Sequence, residues 1–163
     1  MTEILKLAAV ITISDGAHQG ARLDASGPAV AARLEAAGFA VTARTIVPDD
    51  RSRIAAELRE LAATLSVGLI CTTGGTGVAL RDLTPEATRD VIDREVPGFG
   101  ELMRSEGLKK TRFAPLSRAL AGTCGRVLIV NLPGSPKGAV ESLDAILELV
   151  PHVLELLSGR TEH

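Results

Sequence analysis

Residues 67–73 (VGLICTT) are apolar at nearly every position and run straight into Gly74-Gly75-Thr76-Gly77. A strand with no polar face to give to water belongs inside a sheet covered on both sides, the habit of parallel sheets. Residues 7–14 (LAAVITIS) and 126–132 (RVLIVNL) are aliphatic runs of the same kind, the first ending in Asp15-Gly16 and the second in Pro133-Gly134-Ser135-Pro136-Lys137-Gly138. Residues 39–47 (FAVTARTIV) give a further strand that stops at Pro48-Asp49-Asp50.

Helical periodicity fills the intervals. Residues 27–37 are Ala-rich with a helical apolar period and end at Gly38, and a second helix is expected over 51–65. Thr84-Pro85-Glu86 reads as a helix start, with Thr84 as N-cap and Pro85 in the first turn, so a helix is predicted over 85–94. Pro97-Gly98 interrupts it, another helix runs to about residue 110, and the last begins in the PGSPKG loop and continues to 157, bent or restarted at Pro151. Strands alternating with helices predict a three-layer α/β/α fold with a mainly parallel sheet. Residues 117–126 are too few for a helical crossover, so 118–123 is expected as an antiparallel strand turning at Cys124-Gly125. With 163 residues and no repeat or linker, the whole chain, 1–163, is expected to form one domain.

Composition removes several classes of function. Net charge is −2, and there is no Trp, no Tyr and only three Phe, so both the basic footprint and the base-stacking platforms of a nucleic-acid binder are missing. Apolar runs are broken well short of the ~20 residues of a membrane span, and the N-terminus does not read as a signal peptide, so a cytoplasmic protein is expected. Cys71 and Cys124 are expected as buried, reduced thiols, and His18, His152 and His163 lack metal-ligand spacing.

Ligands of open α/β sheets bind beyond the carboxyl ends of the strands. Here those ends carry Ser14-Asp15-Gly16, Pro48-Asp49-Asp50, the loop Gly74-Gly75-Thr76-Gly77, and Leu132-Pro133-Gly134-Ser135 with Lys137. Glycines without Cβ let backbone N–H groups approach an anion, and a following helix adds a favourable dipole, so a phosphate cradle is expected. Arg81 and Asp82 follow in the same loop, placing a cation and a carboxylate within reach of one phosphate and a Mg²⁺ ion, which prefers hard oxygen ligands. Asp49 and Asp50 precede a helix and can equally be its caps, and Ser117-Arg118 can be a simple turn. Neither GxxxxGK[ST] nor GxGxxG occurs, and no Ser, Cys or His sits in a nucleophile constellation.

Taken in order, TISD (12–15), DASG (24–27), VPDD (47–50), TGGTG with RDLTPEAT (73–88), REVPGFGELMR (94–104), PLSR (115–118) and NLPGSPKG (131–138) resemble the molybdopterin adenylyltransferases, which include the bacterial MogA and MoaB proteins and the G domains of gephyrin and its plant counterpart. The resemblance spans nearly the whole chain. It implies transfer of AMP from Mg-ATP to the terminal phosphate of molybdopterin, with pyrophosphate released. It also implies Asp49 and Asp82 as the catalytic, metal-holding pair. Gly74, Gly75, Thr76, Gly77, Leu132, Pro133, Gly134, Ser135 and Lys137 would hold the nucleotide, and Ser14, Asp15, Arg81, Ser117 and Arg118 the pterin side. It further implies a homo-oligomer, trimeric or in MoaB-like members hexameric, handing its product to a MoeA-like molybdate-insertion enzyme. The alternative within the family is a MoaB-like pterin-binding protein without significant catalysis.

Overall fold

The computed structural model describes residues 6–64 and 66–161. Leu65, the expected end of one helix, and His163 lie outside the described residues.

Six strands form one sheet in the order β2-β1-β3-β6-β5-β4. Four of them, β1 (Leu7–Ile13), β2 (Ala40–Val47), β3 (Leu69–Thr73) and β6 (Val127–Leu132), are mutually parallel. The expected antiparallel strand is β5 (Ala121–Cys124), which pairs with β6, and Cys124 still faces Val127 across a turn whose Gly125 has φ +57°. The three-layer α/β reading of the sequence holds.

Period-two alternation sends side chains of each strand to opposite faces, and the core divides accordingly. Ala8 and Val10 of β1 pack with α2 (Ser26–Ala36), α5 (Pro97–Leu108), α6 (Pro136–Ile146) and α7 (Val150–Leu157) through Val30, Leu34, Met103, Leu143, Ile146 and Leu154. Ala9, Ile11 and Ile13 pack instead with α3 (Arg51–Thr64) and α4 (Thr84–Arg89) through Ile54, Leu58 and Ala87. Each fully buried aliphatic side chain contributes about 1.5–3 kcal/mol, so both faces are well held. The last helical stretch does restart: a 3₁₀ turn at Leu147–Leu149 separates α6 from α7, which has Pro151 in its first turn, where a missing N–H costs nothing.

Local differences have local causes. α4 stops at Arg89 rather than 94 because the chain turns to pair with β5: Asp93 N–H donates to Thr123 O at 2.7 Å and Val96 N–H to Ala121 O at 2.8 Å, making a two-residue strand β4 (Arg94–Glu95). Thr84 is not a side-chain cap, since its hydroxyl is drawn to the Gly74 carbonyl. After Ser14 the chain makes a single turn, α1 (Asp15–His18), which Ser14 caps by accepting from Ala17 N–H at 3.1 Å.

Both cysteines are free: Cys71 is buried in β3, where burial pushes its thiol up to about 12, and Cys124 is only half-buried, with its thiol raised for the same reason. Among the described residues no helix is long and apolar enough to cross a membrane.

Candidate active site

From β1 the chain crosses over one face through α2 to β2, then returns over the other face through α3 to β3. The crossovers part between β1 and β3, which makes this a topological switch point, the usual ligand position in such sheets. A cleft of about 520 Å³ opens there, bounded by Thr12 and Ser14 after β1, Asp24 before α2, Asp49 after β2, Gly74, Gly75 and Asp82 after β3, and Gly134 and Ser135 after β6.

The glycine loop is shaped by close approach. Gly74 has φ +105° and Gly75 φ +67°, both in the region that disfavours side chains. A Cβ on Gly74 would collide with the Ile13 carbonyl, and one on Gly75 would strike the Thr84 hydroxyl and come within 3.2 Å of Asp49 Oδ1. At Gly77 the same atom would lie 2.8 Å from Asp82 Oδ2. Each of the two carboxylates therefore sits against a glycine of this one loop.

Behind the loop runs a buried polar chain. Thr84 Oγ1 donates to Gly74 O at 2.9 Å, Thr88 Oγ1 donates to Thr84 O at 2.8 Å, and Asn131 Nδ2 donates to Thr88 and Thr72 hydroxyls at 2.9 and 3.0 Å. All four side chains are fully buried, so their mutual hydrogen bonds are what makes them tolerable there. The chain links β3, β6 and α4 directly under the glycines.

Asp50 settles its own ambiguity and that of its neighbour. Its Oδ1 accepts from Arg53 N–H at 2.9 Å, so Asp50 caps α3 and Asp49 is left for the cleft. Asp49 exchanges hydrogen bonds with Asp15, backbone to carboxylate in both directions at 3.0 Å. The Arg81 guanidinium beside Asp15 holds that carboxyl below the ordinary range, whereas Asp49 is pushed up, first by burial and then by the neighbouring Asp15 and Asp82 carboxylates, against the opposing pull of the Asp15 N–H. Asp49 Oδ1 and Asp82 Oδ1 accept no hydrogen bond among the described residues, while Asp82 Oδ2 accepts from Ala79 N–H at 2.9 Å.

That donor set suits Mg²⁺. Among the described residues no cluster of three acidic, His or Cys side chains forms a closed metal cage, but Mg²⁺ characteristically takes one or two carboxylates and completes its shell with water and substrate phosphate. A divalent cation held by these carboxylates would also offset the Asp15 and Asp82 repulsion that adds to burial in raising Asp49.

The expected site residues separate into groups. Ser14, Asp49, Asp82, Gly74, Gly75, Gly134 and Ser135 all line the cleft. Gly77 supports Asp82, and Thr76 is buried, offering its carbonyl to Arg118 N–H at 2.8 Å. Leu132 is buried with its side chain in the core and touches the site only through its carbonyl, which accepts from Gly74 N–H at 3.0 Å. Lys137 points outward near Glu141, with 87% of its side chain exposed. Arg81 is bidentate to Asp15, at 2.6 and 3.0 Å. Ser117 and Pro133 border a second cleft of about 570 Å³ between α5 and α6, which meets the first at Ser135. Arg118 lines a smaller neighbouring recess. Asp24, which accepts from Thr12 Oγ1 at 2.9 Å and Gly27 N–H at 3.0 Å, belongs to the cleft although only its motif, and not its role, stood out in the sequence.

A mainly parallel α/β sheet with two carboxylates and a glycine loop at its switch point is an arrangement suited to a phosphate-bearing ligand, and comparison with known proteins makes the class specific. Residues 9–152 match the family described as "Probable molybdopterin binding domain", and the chain belongs to that family. It is 41% identical over 152 residues to the molybdopterin adenylyltransferase of Helicobacter pylori strain J99, covering 92% of this chain and 86% of that one. With the Escherichia coli K12 molybdopterin adenylyltransferase it shares 39% identity over 164 residues, 92% of this chain and 84% of the other. The solved structure of the molybdopterin biosynthesis enzyme MoaB from Thermus thermophilus is 50% identical and superposes with a TM-score of 0.88 over 94% of this chain and 96% of that one.

Proposed function

We propose that this chain is a molybdopterin adenylyltransferase: an oxygen of the molybdopterin terminal phosphate attacks the α-phosphorus of ATP, a phosphoanhydride bond forms, and the bond to pyrophosphate breaks. The observation that carries this reading is the placement of Asp49 and Asp82 against two glycines of a single loop that follows β3. The substrate brings its own nucleophile, which is consistent with a cleft that has hydrogen-bond donors and carboxylates but, among the described residues, no Ser-His or Cys-His pair.

Each part of the chain has a task in such a transfer. Bare glycine backbone and the Ser135 hydroxyl at the start of α6 hold the phosphates. Asp49 and Asp82 are the residues that would hold Mg²⁺, which when bound neutralises charge on the phosphates as the leaving group departs. The Asp15–Arg81 pair fixes the α1 turn beside Asp49 and so keeps that carboxylate aimed inward. The cleft between α5 and α6, joined to the first at Ser135, gives the pterin a place adjacent to the phosphates. Catalysis here is positioning and charge stabilisation.

The same reading makes the protein a cytoplasmic homo-oligomer, a trimer or a hexamer, that passes its product to a molybdate-insertion enzyme. Exposed Val78, Leu80, Phe113 and Leu116 offer apolar surface for such association. The deciding experiment is incubation of the pure protein with molybdopterin, ATP and Mg²⁺ while following pyrophosphate. Release at catalytic turnover is expected; tight pterin binding with no release would make the chain a binding protein instead.

A further inference from the structure

The family resemblance puts Arg118 on the pterin side of the site, but its side chain is already committed. Its Nε donates to Gly77 O at 2.6 Å, Nη2 donates to Asp82 O at 2.6 Å, and Nη1 donates to the Glu86 carboxylate in the first turn of α4. Its own backbone N–H adds a bond to Thr76 O at 2.8 Å. One guanidinium thus ties down both ends of the loop 77–82 and joins them to α4. Arg118 does not border the cleft that holds Asp49 and Asp82.

The loop's other tie is at Arg81, which is bidentate to Asp15 and donates to Asp49 O at 3.2 Å, holding the loop toward α1 but not toward α4. Val78 and Leu80, its two large apolar residues, are 70% and 96% exposed, so neither packs the loop into the core of its own chain. Within the loop, Asp82 Oδ2 accepts from Ala79 N–H and Asp82 N–H donates to Ala79 O at 3.0 Å, a closed local turn whose position on the protein is set from outside. A rigid fork of donors suits that task, because it satisfies several acceptors at fixed angles, whereas an ammonium supplies charge without the fork. Glu86 is held below the ordinary carboxyl range chiefly by the Arg118 hydrogen bond, in keeping with a charged pair.

We infer that Arg118 is a positioning residue: it places Asp82 in the cleft by clamping the loop 77–82 to α4, and it does not contact substrate. The reaction it serves rests on the adenylyl-transfer reading, but the clamp itself can be tested without turnover. Amide hydrogen exchange of the full-length protein reads it directly. Arg118→Lys should speed exchange at residues 77–82 by roughly tenfold or more while β1, β3 and β6 stay protected. Glu86→Gln, which leaves both carbonyl contacts to Arg118 in place, should give a smaller change at the same residues. Equilibrium binding of molybdopterin should stay within about threefold of the unsubstituted protein in both variants, and the loss of Mg²⁺-dependent nucleotide binding in Arg118→Lys should not add to that of Asp82→Asn, because the two act as one unit. Unchanged exchange at 77–82, or a roughly tenfold loss of pterin affinity without loop loosening, would overturn the clamp and return Arg118 to the substrate. If the unsubstituted protein releases no pyrophosphate, the adenylyl-transfer reading falls while the exchange result still decides the clamp.

Discussion

Asp15 and Asp49, 34 positions apart, each donate a backbone N–H to the other's carboxylate at 3.0 Å. The reciprocity fixes the ends of β1 and β2 to one another, yet the two acids differ in charge environment: Arg81 stabilises the Asp15 carboxylate, while Asp49 is buried and flanked by acids.

That difference sets a pH dependence. Because the folded-state value of Asp49 is raised above its ordinary 3.8, the native state binds more protons than the unfolded chain between 3.8 and the raised value, so this residue's contribution to stability falls as pH rises through that window. Asp49→Asn keeps an acceptor for Asp15 N–H and removes the charge. The variant is expected to melt no lower than the unsubstituted protein at pH 7, with its relative advantage shrinking as the pH is lowered toward 3.8. Thermal midpoints across that range check it, and a marked destabilisation at pH 7 would count against the raised value.

Asp82→Asn should abolish most turnover while molybdopterin affinity stays within about tenfold, since the lost charge acts on the transition state with its metal. Steady-state kinetics beside direct pterin titration separates the two effects. A kcat that survives would remove Asp82 from the catalytic pair.

Gly74→Ala forces a side chain into φ +105° and against the Ile13 carbonyl. Strain of this kind costs about 1–3 kcal/mol, before any displacement of the loop. Urea denaturation should show that loss, and nucleotide binding should fall with it even at denaturant concentrations where the variant remains folded.

Nucleotide recognition should favour phosphates over the base. Phe39 and Phe99 are in the core and Phe113 lies in the α5–α6 cleft, so no aromatic ring borders the glycine loop. Mg-GTP is expected to compete measurably with Mg-ATP and adenosine hardly at all. Adenosine binding as tightly as ATP in a competition titration would point to a base-specific pocket elsewhere.

Cys71, pushed up to about 12 inside β3, should resist thiol reagents at pH 8 until the chain unfolds. Reaction at Cys71 under native conditions, located by peptide mapping, would mean that β3 opens far more readily than its burial suggests.

The strands and the loops were plain in the sequence because their signals are local: all-apolar runs such as VGLICTT, and glycines immediately after them. Asp49 could not be told from a helix cap until the Asp50–Arg53 bond assigned that duty to its neighbour. Arg118 and Leu132 carried motif positions whose side chains turned out to be engaged with a loop and the core, a matter of long-range packing that no residue type announces. Asn131 did leave a trace, a lone amide inside RVLIVNL, but its partners Thr72 and Thr88 are 59 and 43 residues away. Likewise, α4 is shortened by pairing with β5, a contact its own residues cannot foretell.

The parallel pairing of β1 with β3 sets Ala8 beside Leu69 and Thr12 beside Thr73, and β6 then pairs with β3 through Thr73 and Leu132. Every wall of the cleft thus depends on a crossover between segments far apart in the chain, which makes folding slow relative to locally wired domains. During refolding, recovery of nucleotide binding should keep pace with recovery of the sheet. Cut anywhere between β1 and β3, the chain yields two pieces that each lack an opposing wall, so binding competence should return only when both are present together.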